Sequence, residues 1–418
     1  MIEGLSPDLL AESAAEARER WNVPGIAVGV LRDGEVAYTA DGVRELGGSE
    51  PVTAETQFRI ASVTKPFVAT LAMTLVQERL LSLDEPPPGA RTEATVRQLL
   101  SHQAGLAIEW PRDLDEADDD EALLRLAARE PELLPVGPGE LFSYCNTGYW
   151  FVGAGVARVC GTSFEEAMHE RILEPLGLGS TAFEPSSAAR GHEQVAPGAD
   201  EHRPAGGTYP RVRRPSGGLW ATVPDLLRFG AHHLGAPGPL TPAATAELRR
   251  PLISVPGGSY GLGWFLLDGR GRETAEHPGS ATGFQSLLLL VPDGRLALAA
   301  LTNSSRGLAA IRDVLERIGL AVVPPPGIEL PEAALARFSG RYEGQGIRLD
   351  ITPADGNLGV RYAEVNPFTR EEVAYPPLVA RAVREREFEI TTGEWKGDRF
   401  DFPRDGFVRL VVLAQRVE

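Results

Sequence analysis

Apolar runs with the spacing of β-strands lie near both ends of the first 320 residues. They are Ile26–Leu31, Val36–Ala40, Gly261–Leu267, Ser286–Val291 and Leu296–Thr302. Asp33-Gly34 separates the first two runs, and Pro292-Asp293-Gly294-Arg295 separates the last two. Turn residues between two apolar runs predict a β-hairpin in each place.

Apolar residues with helical spacing dominate the chain between these strands and flank it at both ends. The segments with this spacing are residues 8–21, 62–82, 95–101, 121–130, 147–160, 163–173 and 307–318. Strands near both ends with helices between them predict an α+β fold. In such a fold one antiparallel sheet is built from both ends of the domain, with a helical insert between them.

The pattern changes after a proline-rich stretch, which we interpret as a linker over residues 322–334 between a large domain over residues 1–321 and a small one over residues 335–418. The small region contains short alternating runs separated by turn residues: Ile347–Ile351, Leu358–Tyr362, Phe388–Thr391, Phe400–Phe402 and Val408–Ala414. This pattern predicts an all-β domain, a sandwich or a barrel. Its aromatic residues are expected in the core: Phe338, Tyr342, Tyr362, Trp395, Phe400 and Phe402.

Composition and charge narrow the possible classes of protein. The 418 residues are 43% hydrophobic and 24% charged, which is typical of a globular protein with a large core. A net charge of −17 repels nucleic-acid backbones and anionic membranes, so we expect neither as a partner. The first 20 residues are acidic and lack the apolar core of a signal peptide, which predicts a cytoplasmic protein. The sequence lacks the motifs of common metal and nucleotide sites, so no metal or cofactor is implied.

Ser62 and Lys65 form the first candidate for chemistry, an S-x-x-K motif at the start of an apolar helix. Residues i and i+3 share a helix face, so the Ser62 hydroxyl and the Lys65 amine could meet. Serine needs a base to act as a nucleophile, and burial lowers the pKa of a lysine so that it can take a proton. The motif also occurs by chance on surface helices. Only two of the 41 basic residues are lysines, however, which favours a role for Lys65 that arginine cannot fill.

Two further short motifs follow along the chain, and each is weak by itself. Tyr144-Cys145-Asn146 precedes a helix, where a tyrosine near a lysine ammonium can have a lowered pKa and relay protons, and an asparagine can orient a carbonyl or amide. In His277-Pro278-Gly279-Ser280, the glycine lets a substrate approach the backbone. The Ser280 N–H could pair with that of Ser62 as an oxyanion hole, and His277 could steady the tetrahedral state or the leaving group. Alone, the first motif would be an ordinary turn and the second a loop.

The order of the three motifs changes their interpretation. S-x-x-K, then Y-x-N, then H-x-G resembles the penicillin-binding-protein and class C β-lactamase superfamily. The resemblance covers residues 8–320 in order. Further segments that carry it are Val23–Gly25, Phe58–Lys65, Thr95–Leu106, Phe142–Gly148, Glu174–Gly179, Ser216–Phe229 and Tyr260–Trp264.

The resemblance implies a β-lactamase/transpeptidase-like antiparallel sheet flanked by helices with an all-α insert, and a small lipocalin-like C-terminal domain. It implies that Ser62 is the nucleophile that becomes acylated, Lys65 its activator and Tyr144 the proton shuttle. Asn146 would contact the substrate amide. The N–H groups of Ser62 and Ser280, beside Gly279, would bind the oxyanion.

One departure from the superfamily pattern bears on the substrate. Its β-lactamases and transpeptidases generally have Lys-Thr-Gly where this chain has His277-Pro278-Gly279, and a neutral histidine holds a substrate carboxylate less well. H-x-G is usual among the superfamily's esterases, D-aminopeptidases, D-peptide hydrolases and cyclising thioesterases.

The sequence therefore resembles two functional groups of this superfamily. One consists of the thioesterases that release and cyclise nonribosomal peptides ending in a D-residue, which is the function we favour; a carrier protein could deliver such a peptide. The alternative is an esterase or a D-amino-acid peptidase acting on a small ester or peptide. A binding protein that kept the pocket and lost turnover is a third hypothesis, against which Ser62, Lys65, Tyr144 and Asn146 are all present.

Overall fold

An antiparallel sheet of eight strands forms the centre of the larger domain. The computed structural model describes residues 6–108, 115–207, 209–268, 272–323, 325–366 and 371–417. The strands of this domain are β1 (Gly25–Arg32), β2 (Glu35–Gly42), β3 (Phe58–Arg59), β4 (His192–Gln194), β5 (His202–Pro204), β6 (Trp220–Ala221), β7 (Ile253–Val255), β8 (Gly258–Tyr260), β9 (Phe265–Asp268), β10 (Glu273–Ala281), β11 (Phe284–Val291) and β12 (Leu296–Thr302). The order in the sheet is β2-β1-β12-β11-β10-β9-β8-β7, so the first hairpin pairs with the last strand.

Helices cover both faces of this sheet. The α-helices among the described residues are α1 (Pro7–Arg20), α2 (Thr64–Gln77), α3 (Val96–Leu100), α4 (Ala122–Ala127), α5 (Asn146–Cys160), α6 (Phe164–Met168), α7 (Arg214–Gly217), α8 (Val223–His233), α9 (Pro242–Leu248), α10 (Gly307–Arg317) and α11 (Glu332–Ala336). Alternate residues of β1 point to opposite faces, so Ile26 and Val28 pack with α1 and α10, while Ala27 packs with the helical insert. Because both faces are covered, β11 and β12 are buried along their whole length.

The C-terminal domain is a closed barrel of eight strands. Its strands are β13 (Gly340–Gly344), β14 (Ile347–Ala354), β15 (Asn357–Val365), β16 (Glu372–Ala374), β17 (Leu378–Arg384), β18 (Glu387–Ile390), β19 (Arg399–Asp401), β20 (Phe407–Arg409) and β21 (Leu413–Arg416). The β14–β15 pairing closes the ring, and β16 pairs with β15 outside it. The predicted aromatic core is confirmed: four of its rings are buried, and Tyr362 and Trp395 pack against them from partly buried positions.

The predicted fold class is confirmed, with an α+β domain that carries an all-α insert and a barrel consistent with a lipocalin-like domain. Some element predictions are wrong in detail. The strand expected over Gly261–Leu267 begins only at Phe265, because Gly263 takes a left-handed conformation (φ +82°) in a turn. The helix expected over residues 62–82 is regular over Thr64–Gln77. The run Val408–Ala414 is two strands joined by a turn rather than one strand.

The stretch that we interpreted as a linker contacts the barrel. Within the stretch that we interpreted as a linker, the Ile328 N–H donates to the Ala382 carbonyl of the barrel, and residue 324 lies outside the described part of the chain, as do residues 1–5 of the large domain. None of the helices in the described ranges is long and apolar enough to cross a bilayer.

Candidate active site

Ser62 lies in a single 3₁₀ turn, Ala61–Val63, that leads directly into α2. Ala61 has a left-handed conformation (φ +47°), which is uncommon for a residue other than glycine and costs backbone energy. Such strain is retained where the surrounding structure fixes it, often at functional sites. The turn presents the half-buried Ser62 at the N-terminus of α2, whose positive end favours developing negative charge.

Lys65 lies on the first turn of α2 and is completely buried. Its Nζ donates to Ser62 Oγ at 3.2 Å, to Asn146 Oδ1 at 2.8 Å and to the Ser216 carbonyl at 2.7 Å. These three acceptors are neutral. The structure therefore brings Ser62, Lys65 and Asn146 into one hydrogen-bonded group, in which the i, i+3 spacing predicts the contact of Ser62 with Lys65.

Tyr144 precedes α5 and faces the same group. Its hydroxyl hydrogen-bonds the Ser62 side chain, and the Lys65 Nζ lies 4.6 Å from the centre of its ring. The expectation of a lowered Tyr144 pKa is wrong: burial raises the pKa of this phenol well above its usual range, and the bond to Ser62 lowers it only in part. The free-energy cost of removing the phenolate from water is larger than the stabilisation that the neighbouring groups give it. Tyr144 is therefore a neutral phenol, which can relay a proton by accepting one at its oxygen while it donates its own.

Cys145 and Asn146 position the start of α5. The Cys145 Sγ accepts a hydrogen bond from the Gly148 N–H at 3.3 Å and so caps the helix, while Asn146 is its first residue. Burial raises the pKa of the Cys145 thiol to about 11. A thiol that stays protonated is a poor nucleophile. We therefore assign Cys145, which lies between two site residues, a structural role as the cap of α5.

His277 is buried on β10 and neutral. Burial and the nearby Lys65 charge lower the pKa of His277 to about 3. Its Nδ1 lies 2.7 Å from the Pro278 carbonyl and its Nε2 lies 3.2 Å from the Tyr260 hydroxyl, which assigns the proton to Nδ1 and makes Nε2 the acceptor from Tyr260. Both ring nitrogens thus contact protein groups, and the ring carries no positive charge for a substrate carboxylate.

Gly279 brings β10 against the backbone beside Ser62. A Cβ atom at Gly279 would lie 2.2 Å from the Ile60 carbonyl oxygen and 2.2 Å from Ser286 Oγ, so only glycine fits. Ser286 Oγ also donates to the Ile60 carbonyl at 2.7 Å. Ser280 follows on the same strand, and its hydroxyl accepts a hydrogen bond from Gln285 Nε2 at 2.9 Å.

Three further residues belong to this site, and the sequence pattern did not single them out. The Ser216 carbonyl is an acceptor of Lys65, and the Ser216 hydroxyl is held by Trp150 Nε1 at 2.8 Å. Tyr260 donates to His277. His102, buried and left-handed (φ +58°), accepts the Cys145 N–H at 2.9 Å, and its ring centre lies 4.2 Å from that of Tyr144. All three lie in segments quoted for the family resemblance, but a backbone carbonyl or a packed ring leaves no motif of its own.

The arrangement suits acyl transfer. A serine hydroxyl contacts a buried amine and a neutral phenol, which can move its proton. A helix begins directly after the turn that holds Ser62, and β10 approaches the backbone of Ile60 just before that turn. In the described ranges, no group of three or more His, Cys, Asp or Glu side chains is placed to hold a metal ion.

Comparisons with known proteins agree with this geometry. A family model described as beta-lactamase matches residues 12–322. Penicillin-binding protein 4 of Amycolatopsis lactamdurans is 32% identical over 369 residues, which are 79% of this chain and 95% of the relative. A D-aminopeptidase of Gluconobacter oxydans is 26% identical over 373 residues, which are 83% of this chain and 68% of the relative.

A solved structure resembles the chain over its full length. The crystal structure of SurE covers 100% of this chain and 100% of its own, with a TM-score of 0.75 and 26% identity. The structure of SurE with D-Leu covers 98% of this chain and 99% of its own, with a TM-score of 0.72 and 26% identity. Both the sheet domain and the barrel therefore have counterparts in one known fold.

Proposed function

This chain belongs to the beta-lactamase family, whose members are serine hydrolases, and from that premise we propose that it is an acyl-transfer enzyme that works through an acyl-enzyme on Ser62. The observation that carries the proposal is the contact of Ser62 Oγ with the buried Lys65 Nζ at 3.2 Å, beside the Tyr144 hydroxyl. A lysine in contact with a serine hydroxyl can take the proton of that hydroxyl once it has lost its own.

The proposed acylation step begins at the Ser62 hydroxyl. Its oxygen attacks the substrate carbonyl carbon while its proton passes to Lys65, directly or through Tyr144. The tetrahedral oxyanion accepts hydrogen bonds from the N–H groups of Ser62 and Ser280. When the intermediate collapses, the bond to the leaving group breaks, and the leaving sulfur, oxygen or nitrogen takes a proton from the Tyr144 hydroxyl, which is replenished from Lys65. Asn146 keeps the lysine amine in place at 2.8 Å.

The acyl-enzyme is then resolved by water or by an amine. Either attacks the ester carbonyl, loses a proton to the Tyr144–Lys65 pair and releases Ser62, which regains its proton. If the amine belongs to the acyl chain itself, the product is a cyclic peptide. We assign His277 a positioning role, because both of its nitrogens contact Pro278 and Tyr260 and its neutral ring does not bring a charge to the reaction.

The substrate that we propose is a peptidyl ester or thioester that ends in a D-residue, which a carrier protein could deliver. SurE has been solved with D-Leu, and a relative is named a D-aminopeptidase, which supports binding of a D-residue. The neutral His277 favours substrates whose terminal carboxyl is esterified rather than free. An esterase or a D-amino-acid peptidase is the second candidate, because the D-aminopeptidase relative aligns with 83% of this chain.

Product analysis tests the proposal. The enzyme is mixed separately with a short peptidyl thioester that ends in a D-residue, with its L-epimer and with a p-nitrophenyl ester. We expect a cyclic or aminolysed product from the D-substrate alone, and we expect Ser62→Ala to abolish it. Rapid hydrolysis of the simple ester, without D-preference or cyclic product, would establish the esterase instead. If none of the three substrates is turned over, acyl transfer on this substrate class is refuted.

A further inference from the structure

Two turns of the barrel contact the short segment that carries Tyr144. One turn, Gln345-Gly346, joins β13 to β14, and the other, Leu410–Val412, joins β20 to β21. The segment between them, Phe142–Asn146, belongs to the sheet domain and holds the tyrosine and asparagine of the candidate site. The barrel therefore contacts the active site directly rather than through a tether.

Gln345 makes the first of these contacts with both ends of its side-chain amide. Its Oε1 accepts the Ile108 N–H, and its Nε2 donates to Ser143 Oγ at 2.9 Å. The Ile108 carbonyl in turn accepts the Asn146 N–H at 2.9 Å. Gln345 is thus bonded to the residue before Tyr144 and, through Ile108, to the backbone of Asn146.

The backbone of Gln345 is itself in an unusual state. Its φ is +56°, in the left-handed region that residues other than glycine, asparagine and aspartate rarely adopt. The turn has a glycine at the next position, Gly346, and yet a glutamine stands at the left-handed position 345. A strained residue that makes two hydrogen bonds across a domain boundary, next to a candidate active site, fits the general association of backbone strain with function.

The second turn holds the same segment from the other side. The Val411 carbonyl accepts the Tyr144 N–H at 3.2 Å, and the Leu413 N–H donates to Ser143 Oγ at 3.3 Å. The Val412 side chain is buried in a cluster with Phe142 and Tyr144. Ser143 Oγ thus receives one hydrogen bond from Gln345 and one from Leu413, the residue that follows the second turn.

A buried ion pair fixes the second turn in place. Arg409, at the end of β20, is 2% exposed and donates to Asp401 on β19, with Nε at 2.9 Å from Oδ1. Its Nη1 also donates to the Ser254 carbonyl of the sheet domain at 3.0 Å, and its Cζ lies 5.9 Å from the centre of the Phe142 ring. The barrel is therefore anchored to the sheet domain within reach of the site.

We propose that Gln345 is a positioning residue of the active site, through which the barrel sets the place of Tyr144 and Asn146 relative to Ser62. The inference rests on the proposed function, since it assigns Gln345 a part in acylation of Ser62. Gln345 does not touch the reacting atoms; it acts through Ser143 and Ile108. A shift of the Tyr144 hydroxyl away from Ser62 would slow proton transfer without closing the cleft to substrate.

The test measures the rate of acylation per active site. Wild type, Gln345→Ala and the matched control Gln194→Ala are mixed with p-nitrophenyl acetate in stopped flow, and active sites are titrated with a fluorophosphonate. Gln194 is a suitable control because its Nε2 also donates across the domain boundary, to Glu394 Oε1 at 3.2 Å, and it does not contact the Phe142–Asn146 segment. We expect Gln345→Ala to slow acylation at least tenfold, with KM within about threefold and a Tm close to that of Gln194→Ala.

A second variant keeps the test valid if Gln345→Ala does not fold. Asparagine tolerates the left-handed backbone but is one methylene shorter, so Gln345→Asn keeps the turn and loses the reach to Ser143. We expect the same loss of rate, and we expect the effects of Ser143→Ala and Gln345→Asn to be less than additive, because both remove the Gln345–Ser143 hydrogen bond.

The possible outcomes separate the two claims. Acylation of wild type with an unchanged per-site rate in folded Gln345→Asn would overturn the positioning role and leave the proposed function standing. An equal loss of rate in Gln194→Ala would also overturn it, since any domain contact would then suffice. Absence of acylation in wild type would refute the proposed function and the inference together.

Discussion

At the scale of single residues, burial explains the chemistry of the site more than charge does. Lys65 is fully buried among the neutral acceptors Ser62, Asn146 and Ser216, Tyr144 is a neutral phenol, and the His277 imidazole is uncharged. A proton can therefore move along Ser62, Tyr144 and Lys65 without crossing a fixed ion pair.

Replacement of Lys65 by arginine tests whether the lysine must lose its proton. Lys65→Arg keeps the positive charge, but a guanidinium cannot deprotonate in a protein. We expect kcat to fall by much more than tenfold, measured with a p-nitrophenyl ester and normalised to folded protein by circular dichroism. A loss below about tenfold, equivalent to about 1.4 kcal/mol, would indicate that Lys65 only positions Ser62.

At the scale of elements, the success of sequence prediction depended on how local the signal was. The hairpin around Asp33-Gly34 is correct because both turn residues adopt positive φ, as the turn demands. The meeting of Ser62 and Lys65 follows from helix geometry. The single strand predicted over Val408–Ala414 failed because the apolar side chain of Val412 is buried against the sheet domain, and a one-dimensional pattern does not show which partner an apolar residue has.

Long-range contacts account for the remaining gaps. Closure of the barrel depends on the pairing of β13 with β21, which are the first and last strands of the domain. Ser216, Tyr260, His102 and Gln345 reach the site from elements far apart in the chain, and none carries a motif that names its role. The prediction that the Tyr144 pKa is lowered was wrong because the burial of Tyr144 depends on the tertiary fold, which the local sequence does not show.

The close approach of β10 to the Ser62 turn can be tested at Gly279. A methyl group there would lie 2.2 Å from the Ile60 carbonyl oxygen, so the strand or the turn must move. We expect Gly279→Ala to reduce kcat at least 100-fold and to destabilise the fold by about 1–3 kcal/mol, measured by ester hydrolysis and urea unfolding. Gly179→Ala is the control, because a Cβ at Gly179 meets open space. Full activity of Gly279→Ala would show that this approach is not needed.

The ionisation of Glu276, next to His277 on β10, is expected to make the stability of the fold depend on pH. Burial raises the pKa of the half-buried Glu276 from 4.5 to about 7, although Arg312 lowers it in part. Between pH 4.5 and about 7 the folded state therefore holds a proton that the unfolded state releases, and stability falls as pH rises across this range. We expect Glu276→Gln to have the Tm of wild type at pH 4 and a higher Tm at pH 8, with Glu273→Gln unchanged at both. Equal melting of wild type and Glu276→Gln at pH 8 would contradict this.

At the scale of the whole molecule, the barrel and the sheet domain meet through buried polar contacts near the site. Arg409 and Asp401 form an ion pair that also holds the Ser254 carbonyl. Removing one partner of a buried ion pair destabilises a fold strongly, because the other charge is left unpaired. Replacing both partners by apolar residues costs much less. This interface joins the two domains where the proposed function requires a fixed geometry.

A pair of variants tests this anchor. Arg409→Met leaves Asp401 and the Ser254 carbonyl without this donor, and we expect a loss of about 3–5 kcal/mol in the free energy of unfolding. The double variant Arg409→Met with Asp401→Leu should recover much of that loss. Urea unfolding monitored by tryptophan fluorescence measures both. Equal stability of Arg409→Met and wild type would show that the pair does not anchor the barrel.

The most direct measurement of the central claim is the identity of the acylated atom. Wild type, Ser62→Ala and Cys145→Ala are treated with a fluorophosphonate probe and with a slowly deacylating p-nitrophenyl ester, and the adduct is located by intact mass and peptide mapping. We predict one adduct on Ser62 in wild type and Cys145→Ala, and none in a folded Ser62→Ala. An adduct that persists in Ser62→Ala, or one that maps to Cys145, would contradict the account.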